Sequence, residues 1–169
     1  MHKALISPDE VDDFVIVRAT AFVSRVQRAV ARDVLRSEKM PVLEWRLLFS
    51  VARFGSCHLA YITQRTSIDP AHGSRAASAL EAKGLISRQD DPENRRRKVI
   101  SLTPRGIETF ERIWPQVRDI IKSVTDTLDA KDFRDAKRLL DLLTLGAEPL
   151  MKASDDGGPS KNRTPVAAE

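Results

Sequence analysis

Apolar residues recur at intervals of three or four along most of this chain, a spacing that predicts helices. The first such stretch extends from about Pro8 to Ser37, and arginines interrupt it. A helix of that length would be about 45 Å long, so one small domain could not cover all of it. We therefore expect part of its apolar face to pack against another surface, most simply a second copy of the chain. Its apolar positions are Phe14, Val17, Ala21, Phe22, Val30, Val34 and Leu35.

Two shorter helices are predicted next. One covers Val42–Arg53 and is closed by Gly55. Its core-facing residues are Leu43, Leu47, Leu48 and Val51. The other covers roughly residues 59–66, with Ile62 and Ile68 as its core anchors.

A fourth helix is bounded by strong local signals. Asp69 and Pro70 are typical of a helix start, while Lys83 and Gly84 are typical of a helix end. The inner face carries Gly73, Ala77 and Leu80. The outer face carries Ala71, Arg75, Ser78 and Ala82, with His72 and Ser74 on its flanks. A small polar surface with one arginine fits the major groove of DNA, where arginine pairs with guanine O6 and N7.

A hairpin is predicted directly after this helix. Leu85–Arg88 and Val99–Thr103 are rich in β-forming residues, and Asp-Pro and Asn in the intervening segment favour a turn. Four consecutive cations, Arg95–Lys98, lie on the returning arm. Two helices followed by a cationic hairpin predict a winged helix-turn-helix.

Two apolar helices are predicted after the hairpin. One begins at Thr103-Pro104 and continues to about Leu128, with an expected kink near Trp114 because Pro115 lies inside the pattern. The last extends from about Ala130 to Leu150 and is rich in leucine.

The predicted fold is therefore mostly α with a small β-hairpin wing. We divide it into an N-terminal dimerisation helix (1–40), a winged helix-turn-helix DNA-binding lobe (41–105), C-terminal dimerisation helices (106–151) and a disordered tail (152–169). The terminal helices carry more apolar surface than a monomer needs. A two-fold dimer would bury it, because the same patch then meets itself.

The distribution of charge along the chain supports the DNA-binding hypothesis. Of the 169 residues, those from Arg65 to Arg105 contain nine Lys/Arg and five Asp/Glu, which equals the net charge of +4 for the whole chain. Concentrated basic charge indicates a polyanionic partner, although a solvated turn is the alternative for the cationic run alone. No apolar run approaches the length needed to span a membrane, and the N-terminus lacks a signal-peptide pattern. We expect a cytoplasmic protein.

Three strings in register resemble the MarR family of transcriptional regulators. They are Pro41–Leu48 in the second helix; Ser74-Arg75, Leu80–Ile86 and Arg88 around the fourth helix; and Asp91–Arg96, Val99, Leu102-Thr103 and Gly106 around the wing. The resemblance covers roughly residues 10–150. It implies a homodimer whose recognition helices enter the major groove and whose wings enter the adjacent minor groove at a pseudo-palindromic operator. It also implies repression that a small-molecule effector relieves by binding between the dimer helices and the DNA-binding lobe.

Two positions depart from the family pattern. Asn94 stands where the wing usually carries an aspartate that pairs with a wing arginine, so we expect a looser wing. Gly73 replaces a β-branched residue inside the recognition helix, at a cost of about 1 kcal/mol relative to alanine. Either the neighbouring backbone packs very closely at Gly73, or the helix is easily distorted.

Eight residues are candidate DNA contacts: His72, Ser74, Arg75, Ser78, Arg95, Arg96, Arg97 and Lys98. Arg96 matches the family's wing arginine, which resembles a probe of narrow, A·T-rich minor grooves. Arg75 either reads a base or grips a phosphate. The remaining wing cations neutralise phosphates or face solvent.

The effector pocket, by resemblance, would be lined by Arg18, Phe22, Trp45, Arg46 and Trp114. An arginine beside aromatic rings suits an aromatic carboxylate, and dimer-core packing is the alternative role for these residues.

Cys57 is the only cysteine, and two alternative functions remain open. One is a redox-responsive regulator based on Cys57, although the peroxide-sensing branch of the family carries its reactive cysteine in the first helix, where this chain has none. The other is a winged-helix protein-interaction module that does not bind DNA. Neither an enzyme nor a cofactor or metal is predicted, because no nucleophile–base pair, phosphate-binding glycine loop or zinc-ligand spacing is present.

Overall fold

The computed structural model describes residues 14–66, 68–94 and 97–155, with side chains described up to Pro149. The chain forms two compact units whose boundary falls between Val124 and Thr125. The elements are α1 (Val15–Val30), a π-helical turn (Ala31–Leu35), α2 (Val42–Phe54), β1 (Cys57–His58), α3 (Leu59–Arg65), α4 (Pro70–Ala82), β2 (Ile86–Asp90), β3 (Lys98–Leu102), α5 (Pro104–Thr125) and α6 (Ala130–Asp155).

A three-stranded antiparallel sheet and the helices around it form the first unit. The strand order is β1-β3-β2, and the central strand pairs Ile100 with Cys57 on one side and Arg88 on the other. Side chains from the helices and the sheet close one apolar core, as the alternation of buried and exposed positions predicts. The largest fully buried side chains are Leu35, Leu47, Leu48, Val51, Ile62, Leu80, Ile86, Ile100 and Ile113. The predicted winged helix-turn-helix fold is confirmed.

The recognition helix α4 has the predicted boundaries and faces. Asp69 Oδ1 accepts hydrogen bonds from the backbone N–H groups of Ala71 (2.9 Å) and His72 (3.0 Å), which satisfies two of the unpaired donors at the helix start. Gly84 has φ +68°, the left-handed conformation expected after the last turn. The inner-face residues Gly73, Ala77 and Leu80 are buried.

The predicted long first helix is observed from Val15 to Leu35, and its last turn is π-helical. Residues 1–13 lie outside the described part of the chain, and the α-helix ends at Val30 in a π-helical turn. The wider turn lets Val30, Val34 and Leu35 all enter the core. The short strand β1 was not predicted, because two residues carry too little periodicity to be recognised.

The start of α5 is joined by hydrogen bonds to the residue that ends the recognition helix. Thr103 Oγ1 donates a hydrogen bond to Gly84 O (2.6 Å) and accepts one from Gly106 N–H (3.0 Å). A Cβ atom on Gly106 would lie 1.9 Å from Leu85 O, so only glycine fits there. From this start α5 continues through Pro115 to Thr125, and the expected kink near Trp114 stays a prediction.

The second unit contains α6, which extends five residues beyond its predicted end at Leu150. Residues 152–155 of the predicted tail are therefore helical, and residues 156–169 lie outside the described part of the chain. Among the described residues, no helix is both long and apolar enough to cross a membrane.

Candidate nucleic-acid interface and effector cavity

The outer face of α4 is open to solvent along its whole length. Ala71, His72, Ser74, Arg75, Ser78 and Ala82 are all exposed. Arg75 is the one long cationic side chain among them, so it projects from a surface otherwise made of small groups. The Ser78 hydroxyl is already engaged, because it donates to Ser74 O (3.1 Å) and accepts from Arg88 Nη2 (2.9 Å).

Gly73 packs closely against side chains rather than against backbone. A Cβ atom there would lie 3.1 Å from Thr63 Cγ2, 3.3 Å from Ile68 Cγ2 and 3.6 Å from Leu59 Cδ1. These distances support the close-packing explanation for Gly73, with methyl groups as the crowding atoms. The glycine brings α4 close to α3 and to the turn between them.

The wing is described on both sides of its tip, whereas Arg95 and Arg96 lie outside the described residues. Lys98 Nζ lies 2.5 Å from Asp90 Oδ1 across the hairpin, so part of its charge is neutralised within the wing. Arg97 and Lys98 contribute to the wall of a cavity of about 500 Å³ between α3 and the hairpin. The structure therefore brings Arg97 and Lys98 to the α3 side of the wing.

Two contacts beside this surface were missed by sequence reasoning. Arg88 joins β2 to the recognition helix, through Ser78 and through Glu81, whose Oε2 lies 3.4 Å from Arg88 Nε. His58 Nε2 lies 2.8 Å from Asp91 Oδ2 at the base of the wing. Both contacts join residues at least seven positions apart, and no local pattern indicates them.

A second cavity, of about 420 Å³, lies between α2, the end of α3 and α5. Its lining residues are Trp45, Arg46, Phe49, Ser50, Arg53, Arg65, Thr66, Ile68, Trp114, Val117 and Ile121. Three of the five predicted pocket residues, Trp45, Arg46 and Trp114, are therefore together. Arg18 and Phe22 lie on α1 and are not among the lining residues.

Aromatic rings and arginines define the chemistry of this cavity. The rings of Phe49 and Trp114 lie 5.2 Å apart, centroid to centroid, and Trp45 stacks on Phe110 at 5.6 Å. Sequence reasoning missed the two arginines that join Arg46, which are Arg53 on α2 and Arg65 at the end of α3. Three guanidinium groups and a cluster of rings provide a site for an anionic aromatic molecule.

The sequence model described as MarR family matches residues 38–97, which include α2, α3, α4 and most of the hairpin. Within these residues the chain is similar to the MarR family. The uncharacterized HTH-type transcriptional regulator YhbI of Bacillus subtilis (strain 168) is 27% identical over 126 residues, covering 75% of this chain and 82% of YhbI.

Solved MarR-like structures share the fold. Sco3205 of Streptomyces coelicolor, a MarR family transcriptional regulator solved in complex with DNA, has a TM-score of 0.73 and 20% identity, covering 88% of this chain and 93% of Sco3205. BpsR of Bordetella bronchiseptica, whose DNA binding is regulated by 6-hydroxynicotinic acid, has a TM-score of 0.69 and 23% identity, covering 78% of this chain and 94% of BpsR. These similarities are all to transcriptional regulators, one of which was solved in complex with DNA.

Cys57 is poorly suited to redox sensing. Burial raises the pKa of the thiol, which lowers the fraction of reactive thiolate at neutral pH. Cys57 also pairs with Ile100 in the sheet and packs against the core, where it serves as a small apolar residue. Within the described residues, no three His, Cys, Asp or Glu side chains are grouped so that they could hold a metal ion.

Proposed function

We propose that this protein is a MarR-family regulator that binds a pseudo-palindromic operator as a homodimer. Each α4 would enter a major groove and each wing the adjacent minor groove, at half-sites about one helical turn apart. The observation that carries the proposal is the exposed, small-residue face of α4, from which Arg75 alone projects as a long cation. The DNA complex of the similarly folded Sco3205 supports it. Because bacterial chromosomal DNA lies in the cytoplasm, we propose the same location for this protein.

The proposed DNA contacts have different roles. Arg75 would read a guanine edge or grip a phosphate, and Arg96 would enter the minor groove. Phosphate contacts would come from His72, Ser74, Ser78, Arg95, Arg97 and Lys98. Because Ser78 is held by Arg88 and Lys98 by Asp90, we expect these two to contribute least.

Apolar exposure supports the proposed dimer. On α1, Val15, Ile16 and Phe22 are at least half exposed, and Ile16 is 77% exposed. On α6, the exposed apolar residues are Phe133, Leu139, Leu140, Leu142, Leu143 and Leu145. Surfaces of this kind are costly in water, and a second copy would cover them.

DNA selection followed by fluorescence anisotropy tests the DNA-binding proposal. The selected duplex should bind with nanomolar affinity that falls steeply with salt, whereas a scrambled duplex should bind far more weakly. Arg75→Ala and Arg96→Ala should each lower the affinity by about tenfold or more. Arg118→Ala removes an exposed arginine from α5 and serves as the matched control.

Equal affinity for every duplex would refute sequence specificity. Unchanged affinity in the Arg75/Arg96 double variant would favour a protein-interaction module.

We propose that an aromatic carboxylate binds in the 420 Å³ cavity and releases the repressor from DNA. The rings of Phe49 and Trp114 would contact the aromatic part of the effector, and Arg46 and Arg53 would pair with its carboxylate. The regulation of BpsR by 6-hydroxynicotinic acid, an aromatic acid, supports this ligand class.

A thermal-shift screen of aromatic carboxylates, including 6-hydroxynicotinate, tests the effector proposal. A true effector should raise Tm and weaken operator binding. Arg53→Gln should reduce both responses, and Arg118→Gln should leave both unchanged. A panel without any stabilising acid would argue against the proposed ligand class.

A further inference from the structure

His58 links the helix-turn-helix to the wing through one side-chain contact. It directly precedes α3, and its backbone pairs with Val99 in the central strand. Its Nε2 lies 2.8 Å from Asp91 Oδ2, although the two residues are 33 positions apart in the chain. The contact therefore crosses from the start of a DNA-binding helix to the base of the wing.

Asp91 organises the turn that carries the wing cations. Its Oδ1 accepts a hydrogen bond from Glu93 N–H (2.9 Å), and its carbonyl accepts one from Asn94 N–H (3.1 Å). Its own N–H donates to Arg97 O (3.0 Å). The backbone N–H of Glu93, followed by His58, holds the pKa of the Asp91 carboxyl below its usual range, so the group is ionised at neutral pH. One carboxylate thus holds the turn with Oδ1 and His58 with Oδ2.

The loss of His58 would leave the Asp91 carboxylate incompletely satisfied. The Asp91 side chain is 13% exposed beside His58, and loss of the imidazole would remove the side-chain partner of Oδ2. Lys98, the cation that returns from the wing, is already paired with Asp90. Among the described residues, Lys98 is therefore not a free substitute for His58.

We propose that His58 is a positioning residue for DNA binding, which holds the wing at a fixed angle to α3 by anchoring Asp91. A wing fixed before DNA arrives loses less conformational entropy on binding than a wing that DNA must order. His58 would therefore raise operator affinity without touching DNA itself. This inference rests on the proposed DNA-binding function.

Hydrogen exchange of the free protein tests the anchor without reference to DNA. In His58→Ala, the backbone amides of Glu93, Asn94 and Arg97 should exchange at least several-fold faster, whereas amides of α4 should be unchanged. His58→Gln, whose side-chain amide can donate to Asp91, should restore part of the protection. Unchanged exchange at all three amides in His58→Ala would overturn the proposal, even if the protein binds DNA as proposed.

Operator affinity then distinguishes anchoring from direct DNA contact. His58→Ala should lower the affinity about 5- to 20-fold, and the His58→Ala/Asp91→Ala double variant should bind no more weakly than Asp91→Ala alone. Additive losses would mean that His58 contacts DNA and would overturn the anchoring role. His72→Gln changes a histidine of α4 that is not linked to the wing and should leave wing exchange unchanged. If neither the wild type nor any variant binds a duplex, the proposed DNA-binding function is refuted. The hydrogen-exchange result would still show whether His58 anchors Asp91.

Discussion

Apolar residues are buried in the winged-helix lobe, whereas many of those on the terminal helices are exposed. In the lobe, Leu47, Ile62 and Ile100 are buried within the chain to 2% exposure or less. On the terminal helices, Ile16 is 77% exposed and Leu145 is 61% exposed. Helical periodicity occurs in both regions, and the length and apolar content of the terminal helices are what predicted that a monomer would not cover them. The difference teaches that the lobe completes its own core, whereas the terminal helices leave an apolar surface that we propose a second copy covers.

The largest effect should come from breaking the surface that the terminal helices present. Leu143→Glu places a charge on an exposed apolar position of α6 and should shift the proposed dimer toward monomer. Operator affinity should fall by about 100-fold or more, because each half-site would then be bound separately. Sedimentation velocity would measure the assembly and anisotropy the affinity.

Thr144→Glu is the matched control for this change. It introduces the same charge one residue along the helix, where the wild type has an exposed hydroxyl that donates to Leu140 O. The control should remain dimeric and should bind the operator. A dimeric Leu143→Glu protein, or a wild type that sediments as a monomer, would contradict the comparison between the two regions.

Two glycines within helices allow the same comparison for the space around one added Cβ atom. At the start of α5, where the helix packs against the lobe, Gly106→Ala would place Cβ 1.9 Å from Leu85 O, a backbone atom that cannot move aside. We expect a loss of at least about 2 kcal/mol in the free energy of unfolding. In α6, a Cβ on Gly146 meets nothing within 4 Å, so Gly146→Ala should stabilise by up to about 1 kcal/mol. Urea denaturation measures both, and similar losses would contradict the packing argument.

Local signals in the sequence predicted the recognition helix, whereas long-range contacts had to be observed. Asp69 and Gly84 each determine the backbone conformation of only the few residues around them. Their roles at the helix start and end could therefore be predicted without knowing the fold. His58 and Asp91 meet only because β1 joins the sheet beside β3. Trp45 and Arg46 were predicted as cavity residues by resemblance to the family, whereas Arg53 was recognised as one only after the helices were packed.

A buried carboxylate tests how the lobe holds its recognition helix. Glu44 on α2 is 9% exposed, and its Oε2 lies 2.6 Å from Lys83 Nζ at the end of α4. Lys83→Met would leave the carboxylate without this partner, at a cost of about 1–3 kcal/mol in the free energy of unfolding. Adding Glu44→Gln should recover part of that loss, because a neutral amide is less costly to bury. A double variant less stable than Lys83→Met would contradict this account.

The smallest expected effect lies where the N-terminal helix region joins the lobe. Glu38 accepts hydrogen bonds from Arg112 Nε (3.1 Å) and Nη2 (2.8 Å), and the Arg112 guanidinium holds the pKa of the Glu38 carboxyl below its usual range. Because the folded-state pKa is lowered, the pair stabilises the fold above the unfolded glutamate pKa of about 4.3. That contribution is lost as pH falls through the folded-state value.

Arg112→Gln should therefore reduce the urea midpoint at pH 6, and the loss should shrink as the pH falls through the folded-state pKa of Glu38. The loss at pH 6 should be small, because half of the Arg112 side chain is exposed and solvent screens the pair. Arg118→Gln, on the same helix but facing solvent, should follow the wild-type pH dependence. An equal loss at low pH and at pH 6 would mean that Arg112 stabilises this junction through packing of its aliphatic stem rather than through its charge.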